Sequence, residues 1–129
     1  MIVVDSSVWI AHLRNQPIAA VGKLRQPEVA DEILVGDIVL AEILRGARDE
    51  AHAARLEASL RQFPIVEMVG HLAVQAARHY RQLRGGGFTM NKIADLFIGT
   101  YCIAHGHTLL HCDTAFEPMV RICGLRCLP

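Results

Sequence analysis

Four carboxylates stand at strand ends or inside apolar helical segments. Asp5 ends the opening apolar run IVV, Asp113 follows TLLHC, Glu42 lies inside DIVLAEILRGA and Asp95 inside IADLFIG. An Asp at a strand end is, alone, an ordinary helix cap or turn residue. The two helical acids resist that reading. Glu42 is one helical turn from Ile38 and Gly46, on or beside the apolar stripe. Asp95 is flanked by Ile93, Ala94, Leu96 and Phe97. A mid-helix Asp is a weak helix former, and a carboxylate out of water is costly unless paired, hydrogen-bonded or bound to a metal. Only Arg45 and Lys92 come near either acid as ion-pair partners.

Four acids in one cleft would repel one another unless a cation lay among them. Oxygen ligands without His or Cys suit a hard ion, Mg²⁺ or Mn²⁺. Such an ion keeps several of its waters and activates a nucleophile for phosphodiester hydrolysis. Asp5, Glu42, Asp95 and Asp113 are therefore expected to form a metal-assisted hydrolytic site, with Mg²⁺ or Mn²⁺ as cofactor.

Something must deliver the four acids to one place. Short β-branched apolar runs at 2–4, 32–35, 64–68, 108–112 and 125–128 read as strands. Between them, helical spacing runs through 38–47, 49–63, 70–84 and 93–105. Asp37 is placed to cap the first of these, Asn91 or Thr89 to open the last, and Gly106 to close it. Strands separated by helices predict an α/β fold, a parallel sheet covered on both faces. In such sheets ligands gather beyond the carboxyl ends of the strands, which is where Asp5 and Asp113 fall.

The whole chain sets the outer limits. Its 129 residues suit one domain spanning 1–129, and 52 % apolar residues exclude a disordered tail. That apolarity in a small chain suggests surface covered by a partner. No apolar run approaches the roughly 18 residues of a membrane helix, so a cytoplasmic protein without membrane contact is expected. Thirteen basic residues balance thirteen acidic ones, which leaves no overall electrostatic footprint for nucleic acid but permits a local patch. Cys102, Cys112, Cys123 and Cys127 read as reduced, mostly buried small residues.

The segments VVDSSVWI, AEILRG, IADLFIGTYCIAHGHTLL and CDTAFEPM, in this order, resemble the PIN domain, in particular the VapC-type toxin ribonucleases of bacterial toxin–antitoxin pairs. The resemblance spans nearly the whole chain. It implies a PIN-like α/β/α sandwich with strand order 3-2-1-4-5, which sets strands one and four side by side. It also implies metal-dependent cleavage of single-stranded or loop RNA that leaves 5′-phosphate and 3′-hydroxyl ends. Asp5 and Asp95 would be the principal ligands, and Glu42 and Asp113 would complete the site. Ser7 falls where a small hydroxyl residue supports the metal shell. Members often carry a further Asp two residues beyond the fourth acid, but Ala115 stands here, with Glu117 later. The implied partners are an RNA substrate, a VapB-type antitoxin, a second copy in a homodimer, and a toxin–antitoxin hetero-oligomer.

Other signals weigh less. His105, His107, His111 and Cys112 could suggest zinc, but strand alternation sends Cys112 to the opposite face from His107 and His111. Arg78, Arg81 and Arg84 read as a solvated basic face, or as holders of RNA phosphates should their helix border the cleft. Asn91 and Lys92, just before Asp95, are better placed to touch substrate or a ligand water. A phosphatase of haloacid dehalogenase type would need Asp where Ser7 stands. A catalytically silent interaction module on the same fold is the other alternative, against which the intact acids argue.

Overall fold

Val3 and Val4 are wholly buried because their strand has neighbours on both sides. In the computed structural model, which describes residues 1–128, β1 (Ile2–Val4) pairs in parallel with β2 (Ile33–Gly36) and with β4 (Thr108–Leu110). A two-residue β3 (Ile65–Val66) joins β2, and the sheet order is β3-β2-β1-β4. The expected fifth strand is reduced to one parallel bridge, Leu109 to Cys127. Leu109 N–H donates to Arg126 O (2.9 Å) and Leu128 N–H to Leu109 O (2.8 Å), so residues 126–128 run beside β4. The expected order stands, but with four strands and a bridge.

Helices α1 (Ser6–Leu13), α4 (Asp37–Leu44), α5 (Glu50–Leu60), α6 (Ala73–Gly85) and α7 (Ile93–His105) carry most of the cover. Two short helices, α2 (Ala19–Leu24) and α3 (Pro27–Ala30), fill the stretch to which no element was assigned from sequence. Here α1 packs on α2 and α4, α4 on α5 and α7, and α6 on α7. The core joins Val3, Val4, Val8, Val35, Val39, Ile98, Leu109 and Leu110 between these layers. In α7 the run from Asp95 to Cys102 is buried without a break, which marks it as the helix lying deepest against the sheet.

Three local expectations are corrected. Asp37 does not cap α4, because Gly36 holds that position; Asp37 instead accepts from Ile38 N–H (2.8 Å) and Met68 N–H (3.2 Å), tying the helix start to the end of β3. A Cβ at Gly36 would run into the buried Met68 thioether, which would have to move aside. Neither Asn91 nor Thr89 opens α7; the chain enters it extended at Lys92, with no side-chain cap bond. Asp95 is therefore in the first turn of that helix rather than its middle, where a carboxylate is favoured by the helix dipole. Gly106 closes α7 in the left-handed conformation, φ 69°, as expected.

Candidate active site

The pairing of β1 with β4 continues one step past the strand, where Asp5 N–H donates to Leu110 O (2.9 Å). This fixes Asp5 at the carboxyl edge of the sheet. Its Oδ2 caps α1, accepting from Ser7 N–H (3.1 Å) and from the Ser7 hydroxyl. Its Oδ1 is buried and accepts no hydrogen bond. Capping and function are thus not rivals here, because one oxygen caps and the other is free. A buried carboxylate oxygen without a donor is costly, and a cation is the partner that the chemistry asks for.

Asp113 repeats the arrangement after β4. Its Oδ1 accepts from Ala115 N–H (2.9 Å) and caps the short 3₁₀ turn Thr114–Phe116, while its own N–H donates to His111 Nδ1 (3.1 Å). Glu42, half-buried on α4, accepts from the Ser6 hydroxyl (3.2 Å). Asp5, Ser6, Ser7, Ile10, Glu42, Arg45, Lys92, Asp95 and Asp113 line one cavity of about 200 Å³. The four acids therefore converge, from two strand ends and two helices.

Electrostatics agree with that crowding. Burial, and then the Asp5 charge, push the Asp95 carboxyl up from its ordinary 3.8 to about 6; Asp113 and Glu42 push the same way and Lys92 opposes them. Glu42 is also raised, first by burial and then by Asp5, against the Ser6 hydrogen bond and the Arg45 and Lys92 charges. A carboxyl raised by its neighbours holds repulsion that a cation relieves. Among the described residues no three His, Cys, Asp or Glu side chains already enclose one ion-sized point. The donor set fits Mg²⁺ or Mn²⁺.

The remaining expected residues divide. Ser7 touches Asp5, and Cys112 N–H reaches the Ser7 hydroxyl at 3.5 Å. Lys92 lines the carboxylate cavity, whereas Asn91 lines the adjoining groove that shares Lys92, Asp95 and Asp113. Arg78, Arg81 and Arg84 do not line the carboxylate cavity; Arg81 borders a further groove on α6 that meets the adjoining groove at Met90 and Asn91, and Arg84 lies over the Tyr80 ring. Ala115 borders the adjoining groove without adding an acid, and Glu117 is exposed. His105 meets His71, with Nε2 atoms 3.2 Å apart, and stacks on His107, while His111 serves Asp113. Sequence reasoning passed over Ser6, whose partner Glu42 is 36 residues away. The doubled serine after Asp5 was the only trace of it.

The family model described as PIN domain matches residues 2–121. This chain belongs to the PIN domain family. Among curated PIN relatives, a VapC ribonuclease of Mycobacterium bovis and ribonuclease VapC11 of Mycobacterium tuberculosis are each 30 % identical over 129 residues, covering 98 % of this chain and 96 % of theirs. Among solved structures, VapBC2 from Rickettsia felis bound to a DNA fragment from its promoter matches with a TM-score of 0.78 at 21 % identity, over 99 % of this chain and 98 % of that one. FitAcB from Neisseria gonorrhoeae matches with a TM-score of 0.77 at 20 % identity, over 100 % and 97 %. At these identities the structural likeness speaks for the PIN fold.

Proposed function

We propose that this PIN domain is a VapC-type toxin, a metal-dependent endoribonuclease that cuts single-stranded or loop RNA and is held in check by a VapB-type antitoxin. The observation that carries this is the buried, unpartnered Oδ1 of Asp5, in a cavity shared with Glu42, Asp95 and Asp113. Relatives at 30 % identity that are named ribonucleases support the reaction. Structural neighbours solved as VapBC complexes support the antitoxin.

Asp5 and Asp95 would hold Mg²⁺ or Mn²⁺, with Glu42 and Asp113 completing the site. When bound, the ion supplies charge neutralisation and an activated water for attack at phosphorus. The chain's own residues do the rest. Ser7 fixes the Asp5 carboxylate by a hydrogen bond and so leaves one oxygen free. Ser6 restrains Glu42 in the same way from the neighbouring position. Arg45 and Lys92 offset part of the acid charge, which a polyanionic substrate would otherwise meet unscreened. Asn91, which lines the adjoining groove, would hydrogen-bond substrate.

A homodimer and a larger toxin–antitoxin assembly belong to the same proposal, as does action in the cytoplasm, where RNA is met. Val74 and Ile93 are 74 % and 71 % exposed beside the apolar groove between α6 and α7, a face suited to a second copy. Among the described residues no helix is long and apolar enough to cross a membrane. The test is RNA cleavage by wild type and Asp5→Asn with Mg²⁺, with Mn²⁺ and with EDTA. The expected result is ion-dependent cutting that the folded variant lacks.

A further inference from the structure

The expected phosphate contacts on α6 do not reach the carboxylates, yet an RNA strand flanking its scissile bond brings further negative charges on both sides. A cleft with four acids must offer cations for them nearby. The structure does so on the other side of the site. A groove of about 370 Å³ between α1, α4 and α5 shares Ile10 and Glu42 with the carboxylate cavity, so the two are continuous. Apart from Glu42, each of its ionisable lining residues is basic: Arg14, Arg48 and His52. Arg45 stands at the junction, lining the carboxylate cavity itself. Arg14, Arg45 and Arg48 are all exposed. Among the described residues none of the three is in an ion pair. Arg25 and Arg61 differ, being engaged by His12 and Asn15 and by Glu57.

We propose that this groove is the substrate track: Arg45, Arg48 and Arg14 hold successive RNA phosphates on one side of the cut, while Leu13, Ile43 and Leu56 give the sugar and base faces an apolar floor. The inference rests on the ribonuclease reading and adds where the strand lies. Charge decides for RNA over a protein partner, since two guanidinium groups outside any ion pair, with His52 beside them, face one carboxylate that the metal site already uses, and Arg45 adds a third at the junction. The α6 groove has the opposite character, with Arg81 as its one cation among Tyr80, Met90, Ile93 and Phe97. That composition suits a protein surface. Arg14 and Arg48 are therefore positioning residues for the strand and lie away from the reacting atoms.

Initial rates on total bacterial RNA, measured from about 50 to 300 mM KCl, test this with wild type, Arg14→Ala/Arg48→Ala and Arg78→Ala/Arg81→Ala/Arg84→Ala. Two lost phosphate contacts should raise KM roughly tenfold and flatten the slope of log kcat/KM against log salt by about 1.4, at about 0.7 per contact on a single strand. The rise in melting temperature with added Mn²⁺ should be unchanged in that double variant, because the ion's ligands are intact. The α6 triple variant should cleave as wild type does. A double variant with wild-type KM and salt slope would overturn the track, as would one that cleaves normally but no longer holds a protein that co-purifies with wild type. Loss confined to the α6 variant would move the track to that helix. A wild type that cuts no RNA with either ion would overturn the ribonuclease reading itself, and the track with it.

Discussion

Replacing Asp95 by Asn should stabilise the metal-free protein at neutral pH. In EDTA at about pH 7.5 the folded wild type carries a charged Asp95 that burial and Asp5 disfavour, having raised its pKa from 3.8 to about 6. Taken in full, that difference corresponds to about 3 kcal/mol at 1.36 kcal/mol per pH unit. Water in the open cleft screens part of it, and about 1–2 kcal/mol is the realistic share. Asn keeps the shape and removes the charge, so its melting temperature should rise by roughly 3–8 °C for a chain of this size. The direction with pH follows from linkage. As pH falls through 6 towards 3.8, the folded wild type takes up the proton before the unfolded chain does, and its penalty disappears. The advantage of Asp95→Asn should thus be about half by pH 5 and largely gone by pH 4. Added Mn²⁺ should reverse the order, because the ion stabilises wild type by mass action and the variant less. Differential scanning fluorimetry across pH, with EDTA and with Mn²⁺, measures all of this. A variant less stable than wild type at pH 7.5, a gap that ignores pH, or equal gains from Mn²⁺ would refute the crowded-carboxylate account.

Asp113→Asn should keep its cap, since an amide oxygen can still accept from Ala115 N–H, while losing much of the Mn²⁺-induced rise in melting temperature; an equal rise would leave Asp113 a cap only. Buried His79 is held below its usual pKa, first by desolvation and then by the Arg78 charge, and its Nδ1 lies 2.9 Å from the Thr100 hydroxyl. The stability of its neutral form is fully present above pH 6.5 and lost as pH falls below it, so His79→Leu should flatten that part of the stability–pH curve, and Thr100→Val should cost about 1–2 kcal/mol by denaturant melts. Gly36→Ala, which drives a methyl into Met68, should cost about 1–3 kcal/mol and broaden or lower the thermal transition without touching the acids.

The acids were legible because each broke a local pattern: Asp5 and Asp113 by ending apolar strands, Glu42 and Asp95 by interrupting apolar helical faces. That breach survives without knowledge of the fold. The division of labour within Asp5, one oxygen capping and one free, was not legible, since it depends on where Ser7 turns its hydroxyl. Ser6 and the arginine groove were hidden for a related reason: their partners lie on separate elements that only the tertiary fold brings together. Helices α2 and α3 are too short to show a period, and Gly22 and Pro27 punctuate them. Asp37 was misread as a cap because Asp is a preferred capping residue, whereas in space Gly36, the last residue of β2, holds that position. Strand order was carried by the family resemblance; hydrophobic pattern alone supports only a parallel sheet.

The most direct measurement is cleavage of total RNA by folded, purified wild type and Asp5→Asn, with 5′ and 3′ ends mapped by sequencing. Wild type should cut with Mg²⁺ or Mn²⁺ and not in EDTA, and Asp5→Asn should lose at least about 100-fold, the scale expected when a preorganised electrostatic element of a site is removed. Circular dichroism of the variant should match wild type, because Asn at position 5 can still accept the capping bond from Ser7. A folded Asp5→Asn that cuts RNA at near wild-type rate would contradict the assignment of this cavity as the active site.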